Sequence, residues 1–285
     1  MPFSHAGRMA GIFIASQIAL GGMLIAPVQA ASGAPPLIAH RAIYDLTLGE
    51  TRGSSSINAI RGRIVYNFSG NACEGYALQF RQVTEISTEA GANVSDLRSA
   101  TFEDDAGKTF RFNSQNFLNE KLDLAIDGQA DRAASGSISV DLKKPAEKTF
   151  EIPADALFPT AQIKAIVDAA IKGESVLETQ VYDGSDGGDK FYNTLAVIGK
   201  PIDPAKPAEG VITARKELAG VMRWPVTISY FDPTKVTVGE QTPVYSVSFE
   251  LYANGISSAV KLDYGDFTLT GQMSSLELLP QSPCP

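Results

Sequence analysis

The sequence predicts a mainly β chain: one bent, barrel-like or spiral sheet carrying a single amphipathic helix. Three observations carry this. Apolar and polar residues alternate over most of the chain, the period of half-buried strands. Turn signals recur between those runs at regular spacing, as in β sheets that curl on themselves. One segment alone switches to the helical period.

Taken in order, Tyr44, Leu46 and Leu48 share one face of the first strand. Ile64, Tyr66 and Phe68 alternate with Arg63, Val65 and Asn67, and Tyr76, Leu78 and Phe80 with Ala77, Gln79 and Arg81. The turn-rich stretch Ser69 to Gly75 joins these two and puts Cys73 at a strand entrance. Thr101 to Glu103 leads through Asp104 to Lys108 into a strand with Phe110 and Phe112 on one face; Gly107 supplies the left-handed backbone such a turn needs. Leu122, Leu124 and Ile126 mark the next strand and Ile138, Val140 and Leu142 another, and Phe150 and Ile152 end this half.

Ile163, Ile166, Val167, Ala170 and Ile171 then form one apolar helical stripe, with Lys164, Asp168 and Lys172 on the wet face. Thr160 is the expected N-cap and Gly173 the stop. A lone helix in a β chain is expected on the concave side of the sheet, the alternative being a moving lid over a cleft. Strands resume at Val176 to Tyr182 and Phe191 to Ile198, around the acidic turn Asp183 to Asp189. The Pro-rich stretch 201–210 reads as a connecting loop. Val226, Ile228 and Tyr230 alternate, as do Tyr245, Val247, Phe249 and Leu251, then Val260, Leu262 and Tyr264; a last strand runs from Phe267 toward Leu279. No internal repeat is visible, which sets solenoids and propellers aside.

Residues 1–30 read as a signal peptide. Arg8 forms the positive start, Met9 to Ala26 the apolar run, and Val28-Gln29-Ala30 the small-residue site, with cleavage after Ala30 and a periplasmic destination. Residues 31–285 are then one periplasmic domain. Loss of Arg8 takes the 24 basic residues to 23 against 32 acidic ones, a net charge of −9. That balance disfavours nucleic acid as a partner. In an exported chain the two cysteines, Cys73 and Cys284, suggest one long-range disulfide; the alternative is a free buried thiol.

Chemistry is sparse. His40 is the one histidine after residue 30, which argues against Ser-His-Asp or Cys-His catalysis and against zinc; it is expected to be a partly exposed strand residue. Asp183, Asp186 and Asp189 offer oxygen ligands for calcium. However, Gly187 and Thr194 occupy EF-hand ligand positions, so a turn is the favoured reading. The pairs Glu103/Asp104 and Asp263/Asp266 are read as solvated turns and not as glycosidase carboxylates. Ser54 to Ser56 carry no nucleophile signature. Trp224-Pro225 reads as a core aromatic at a strand start, with ligand contact as the alternative. No catalytic residue, metal or cofactor is implied, and no ligand-binding residue is singled out.

The chain nonetheless resembles the EipB family of alphaproteobacterial cell-envelope integrity proteins. The likeness lies in Tyr182 to Lys190, Arg223-Trp224-Pro225-Val226, Ile228 to Phe231, Leu262 to Phe267 and the Cys73/Cys284 pair, and spans about residues 37–285. It implies a bent many-stranded antiparallel β-spiral, a half-open barrel similar to LolA and RseB, with a helix against it. It implies a Cys73–Cys284 disulfide. It also implies a non-enzymatic role in envelope integrity, cell division and stress resistance, linked to a periplasmic tetratricopeptide-repeat protein. A lipid or lipoprotein carrier is the alternative function, by analogy of fold.

Overall fold

The computed structural model describes residues 35–53, 56–206, 216–235, 241–281 and Cys284. The expected signal segment and its cleavage point lie outside these residues, as do Ser54, Ser55 and the later part of the 201–210 loop.

A first meander runs through β1 (His40–Thr51), β2 (Ile57–Asn71), β3 (Gly75–Thr88), β4 (Gly91–Glu103), β5 (Thr109–Leu118), β6 (Lys121–Arg132), β7 (Ile138–Lys144) and β8 (Lys148–Ile152). The helix α1 (Pro159–Lys172) follows. A second meander runs through β9 (Val176–Val181), β10 (Tyr192–Ile198), β11 (Arg223–Phe231), β12 (Tyr245–Tyr252), β13 (Ser257–Asp263) and β14 (Phe267–Leu278). All join one 14-stranded antiparallel sheet, ordered from β8 down to β1 and then from β14 down to β9.

The first and last strands therefore lie side by side in the middle of the sheet, with Ala42 opposite Leu276 and Leu46 opposite Gly271. The edges are β8 and β9. They do not pair with each other, so the sheet is not closed into a barrel. A single parallel bridge from Leu157 to Val181 brings the chain beyond β8 against β9, where the Leu157 amide donates to Gln180 O at 2.7 Å.

Alternation sends one face of each strand inward. Tyr44, Leu46, Ile64 and Met273 form a core under β1, β2 and β14. Phe110, Phe112, Ile126, Val140 and Phe158 form a second under β5 to β8. The helix supplies a third, in which Ile166, Val167 and Ala170 meet Ala196, Trp224, Val226 and Ile228. Trp224 is thus a core residue. Beside it lies a buried ion pair: Arg223 Nε donates to Glu250 Oε2 at 2.8 Å and ties β11 to β12.

Two details of α1 depart from the sequence reading. The helix starts earlier than Thr160: Phe158 is the N-cap and offers no side-chain cap, and Pro159 opens the first turn, where its missing amide costs nothing. The cap comes from another strand, as Glu103 of β4 accepts the Thr160 and Ala161 amides at 2.7 and 2.9 Å. Ile171, expected on the apolar stripe, is 49% exposed because the buried face is centred on Gln162, Ile166, Ala169 and Ala170, which turns Ile171 outward. Gly173 ends the helix in the left-handed conformation, φ 78°.

The C-terminal tail crosses back to the β2–β3 turn. Gln281 Nε2 donates to Leu37 O at 3.0 Å and to Gly70 O at 2.9 Å. Cys284 is bonded to Cys73 in that turn, across 211 residues and a Cα–Cα distance of 5.7 Å. Cross-linking so long a loop removes up to roughly 5 kcal/mol of chain entropy from the unfolded state. Cys284→Ser should therefore lower the melting temperature of oxidised protein and leave that of reduced protein unchanged, measured by circular dichroism with and without dithiothreitol. Equal melting of oxidised wild type and variant would show the tether to be idle.

Candidate functional site

The curl of the sheet leaves a cavity of about 510 Å³ between the two meanders. Tyr44, Ile64, Tyr66, Phe68, Leu78, Phe80 and Leu97 line it from β1 to β4. Tyr245, Val247, Phe249 and Leu251 of β12 and Val260 and Leu262 of β13 line the other side. Pro159, Thr160 and Ile163 contribute the start of α1. Strand periodicity places these residues. Every second side chain faces inward, and on the strands nearest the β1/β14 seam those positions are apolar or aromatic.

Near the disulfide end the cavity meets Leu37, Gly255 and Ser257. Tyr44 spends its hydroxyl there, donating to Ser257 O at 2.7 Å. Burial pushes this phenol up to about 12, so it stays neutral at physiological pH. His40 lies at the start of β1, beside the lining rings of Tyr66 and Phe68. It is buried, not partly exposed as its strand position suggested, because it shares the inward face with those two rings. Its Nδ1 contacts Ile38 O at 2.8 Å and its ring stacks on Tyr66 at 5.5 Å. Burial lowers its pKa, which favours the neutral ring.

The acidic connection between β9 and β10 reaches across to the first meander. Tyr182 sets its edge against Phe112 at 5.6 Å and donates to Gly188 O at 2.6 Å. Phe112 is held between two glycines. A Cβ on Gly128 would stand 2.5 Å from its Cζ, and one on Gly184 (φ +70°) 2.5 Å from its Cδ2. The loop thus joins the two arms of the open sheet.

Its three aspartates go to three different places. Asp186 accepts the Tyr192 hydroxyl, and Asp189 pairs with Lys148 at 3.0 Å. Asp183 takes the Ser185 amide on Oδ1 at 2.9 Å and lines the cavity. They do not converge, and among the described residues no cluster of three or more His, Cys, Asp or Glu is placed to hold a metal ion. Asp183 is the only charged residue among the described lining residues. Burial raises its pKa, the Ser185 hydrogen bonds oppose this, and the nearby Asp186 charge adds to it. Beyond it lies a tyrosine cluster. Tyr230 stacks on Tyr245 at 4.3 Å, with Tyr192 edge-on to both at 6.0 and 6.3 Å.

The other carboxylates are structural. Glu103, expected in a solvated turn, is buried beneath the start of α1. Asp104 caps its own turn through the Lys108 and Thr109 amides, and Asp263 pairs with Arg52 at 2.8 Å. Trp224 does not line the cavity. Alternation had already gathered most lining residues onto common faces. What it could not supply was which faces meet, or that Asp183 turns inward.

These features define a class: an open, curled antiparallel β sheet enclosing an apolar cavity, with its late tail tied to an early turn. The chain matches the EipB-like family over residues 31–280 and belongs to it. It is 37% identical over 254 residues to the cell envelope integrity protein EipB of Brucella abortus (strain 2308), covering 89% of this chain and 88% of that protein. It is also similar to the crystal structure of a β-barrel-like protein of a domain of unknown function from Brucella abortus. There the TM-score is 0.80 at 36% identity, over 86% of this chain and 99% of the other.

Two measurements test the site's framework. Gly184→Ala should cost about 2–3 kcal/mol in urea denaturation, because strained backbone and the Phe112 ring both resist it. Gly187→Ala, with φ +88° but its nearest neighbour 3.9 Å away, should cost only about 1 kcal/mol. Equal losses would show that the seat for Phe112 is not tight. The second concerns Glu103, whose carboxyl is raised by burial against the pull of the Thr160 and Ala161 amides. A folded-state value above the unfolded one gives stability that is full below the ordinary carboxylate range and is lost as pH rises through the raised value. Glu103→Gln removes that loss, so the variant's melting temperature minus that of wild type should climb between about pH 4 and pH 7. A flat or falling difference would contradict this.

Proposed function

We propose that this protein is a periplasmic, non-enzymatic binding protein that supports cell envelope integrity by holding an apolar ligand, such as an acyl chain, in the cavity of its curled sheet. The cavity carries the reading. Its volume of about 510 Å³ falls within the roughly 300–1,000 Å³ usual for small-molecule sites, and its walls are apolar and aromatic with few polar groups. The envelope role comes from membership of the EipB-like family and from the name of the Brucella relative. Export with cleavage after Ala30 agrees with the sequence of the first thirty residues. In favour of holding over turnover, the buried His40 is committed to Ile38 and Tyr66, and Glu103, Asp104 and Asp263 to a helix cap, a turn and an ion pair. A part in cell division and a link to a periplasmic tetratricopeptide-repeat protein rest on the family resemblance.

A second reading is favoured by the same cavity: a carrier that moves a lipid or lipoprotein between membranes. Transfer of labelled lipid between two vesicle populations separates carrying from holding.

The neutral probe N-phenyl-1-naphthylamine tests occupancy. Wild type should bind it saturably with a rise in fluorescence. Leu97→Trp, which fills the cavity from β4, should weaken binding by about tenfold, the loss of a modest apolar contact set. In the native cell, the same variant should fail to restore envelope integrity, read as detergent sensitivity, in a strain lacking the gene. No saturable binding, or undiminished binding by Leu97→Trp, would remove the reading.

A further inference from the structure

The cavity also carries a charge preference. Among its described lining residues there is no Lys, Arg or His; the single charged group is Asp183. The lysines on the neighbouring elements are engaged, Lys190 with Asp232 at 3.7 Å and Lys148 with Asp189 at 3.0 Å. A fatty-acid carboxylate or a phosphate head would meet no counter-charge inside and would be repelled by Asp183 and by Asp186 behind it. A cation meets the opposite situation. It supplies the counter-charge that the half-buried Asp183 carboxylate lacks among the described residues, and it faces Tyr245, whose ring is backed by Tyr230 at 4.3 Å. The volume of about 510 Å³ lies within the usual range for small-molecule sites and accommodates one chain.

We propose that the cavity takes a single-chain amphiphile with a cationic amine head, the ammonium seated on the Asp183 carboxylate beside Tyr245 and the chain lying along Phe80, Val247 and Phe249. This rests on the reading of the cavity as an apolar-ligand site and adds the class of head group.

Three probes of equal chain length test it by calorimetry at neutral pH: dodecylammonium and dodecanoate, each below its micelle concentration, and dodecanol below its solubility limit. Dodecylammonium should bind about tenfold tighter than dodecanol, and dodecanoate weakest. Asp183→Asn keeps an acceptor for the Ser185 amide and should bring the ammonium-to-alcohol ratio close to one, with its melting temperature as the folding control. The wild-type ranking needs no variant. If dodecanol binds but dodecylammonium binds no tighter, or if dodecanoate matches it, the charge preference is wrong while the apolar site stands. A ratio that persists in folded Asp183→Asn removes the role given to Asp183. If none of the three binds wild type, the apolar site falls with it.

Discussion

The pairing of β1 with β14 is the constraint on which the rest of the molecule depends. It places the beginning and the end of the domain next to each other in the middle of one sheet. Without it there would be two unconnected meanders, each with an exposed apolar face. With it the inward faces of β1 to β4 and β12 to β13 belong to one continuous curve and can enclose a space between them. Contacts of such long range are costly to form, since loop closure is paid before the ladder returns anything. The disulfide from Cys73 to Cys284 and the Gln281 hydrogen bonds act on the same seam, holding the tail of β14 to the turn after β2.

The opposite side of the spiral is held differently. The edges β8 and β9 remain unpaired with each other, and free edges are a standing invitation to further strand pairing. Here the chain between them covers the gap. Leu157 bridges to Val181, α1 lies over β9 to β12, Glu103 fixes the helix start, and the 183–189 loop sets Tyr182 and Gly184 against Phe112. An open sheet with a covered gap differs functionally from a closed barrel. The cavity wall includes pieces that are joined by side chains and single bridges, not by a full ladder. The elements carrying Asp183 and Thr160 belong to that less tightly joined sector.

The same geometry explains why ionisable groups fall into two kinds. Surface pairs such as Arg81–Asp96 are exposed at one partner and contribute little net stability, although the two arginines hold Asp96 down at about 2. Groups drawn in from the surface tie strands in pairs, as Arg223 and Glu250 do, cap a helix, as Glu103 does, or meet the cavity, as the half-buried Asp183 does. A carboxylate that lines a cavity with no cation beside it among the described residues is the kind of group a ligand can complete.

Much of the architecture was determined by the sequence itself. The period of two fixed the strands and their inward faces, the period of 3.6 fixed α1, and Gly173 fixed its end, because these are properties of neighbouring residues acting through local backbone geometry. The faces bearing Tyr44, Tyr66, Phe80 and Phe249 were visible in the same way. What only the tertiary structure decided is which of those faces look at each other. Alternation states that a strand has two sides; it carries nothing about the partner several strands away or the curl of the sheet. For that reason Glu103, which reads as a turn residue, proved to be the cap of a helix fifty-seven positions later. For the same reason His40 proved to be buried against Tyr66 and Phe68, and only one of the three loop aspartates turned toward the cavity. Each of those outcomes depends on long-range packing, where burial and proximity are set by residues that local sequence does not name.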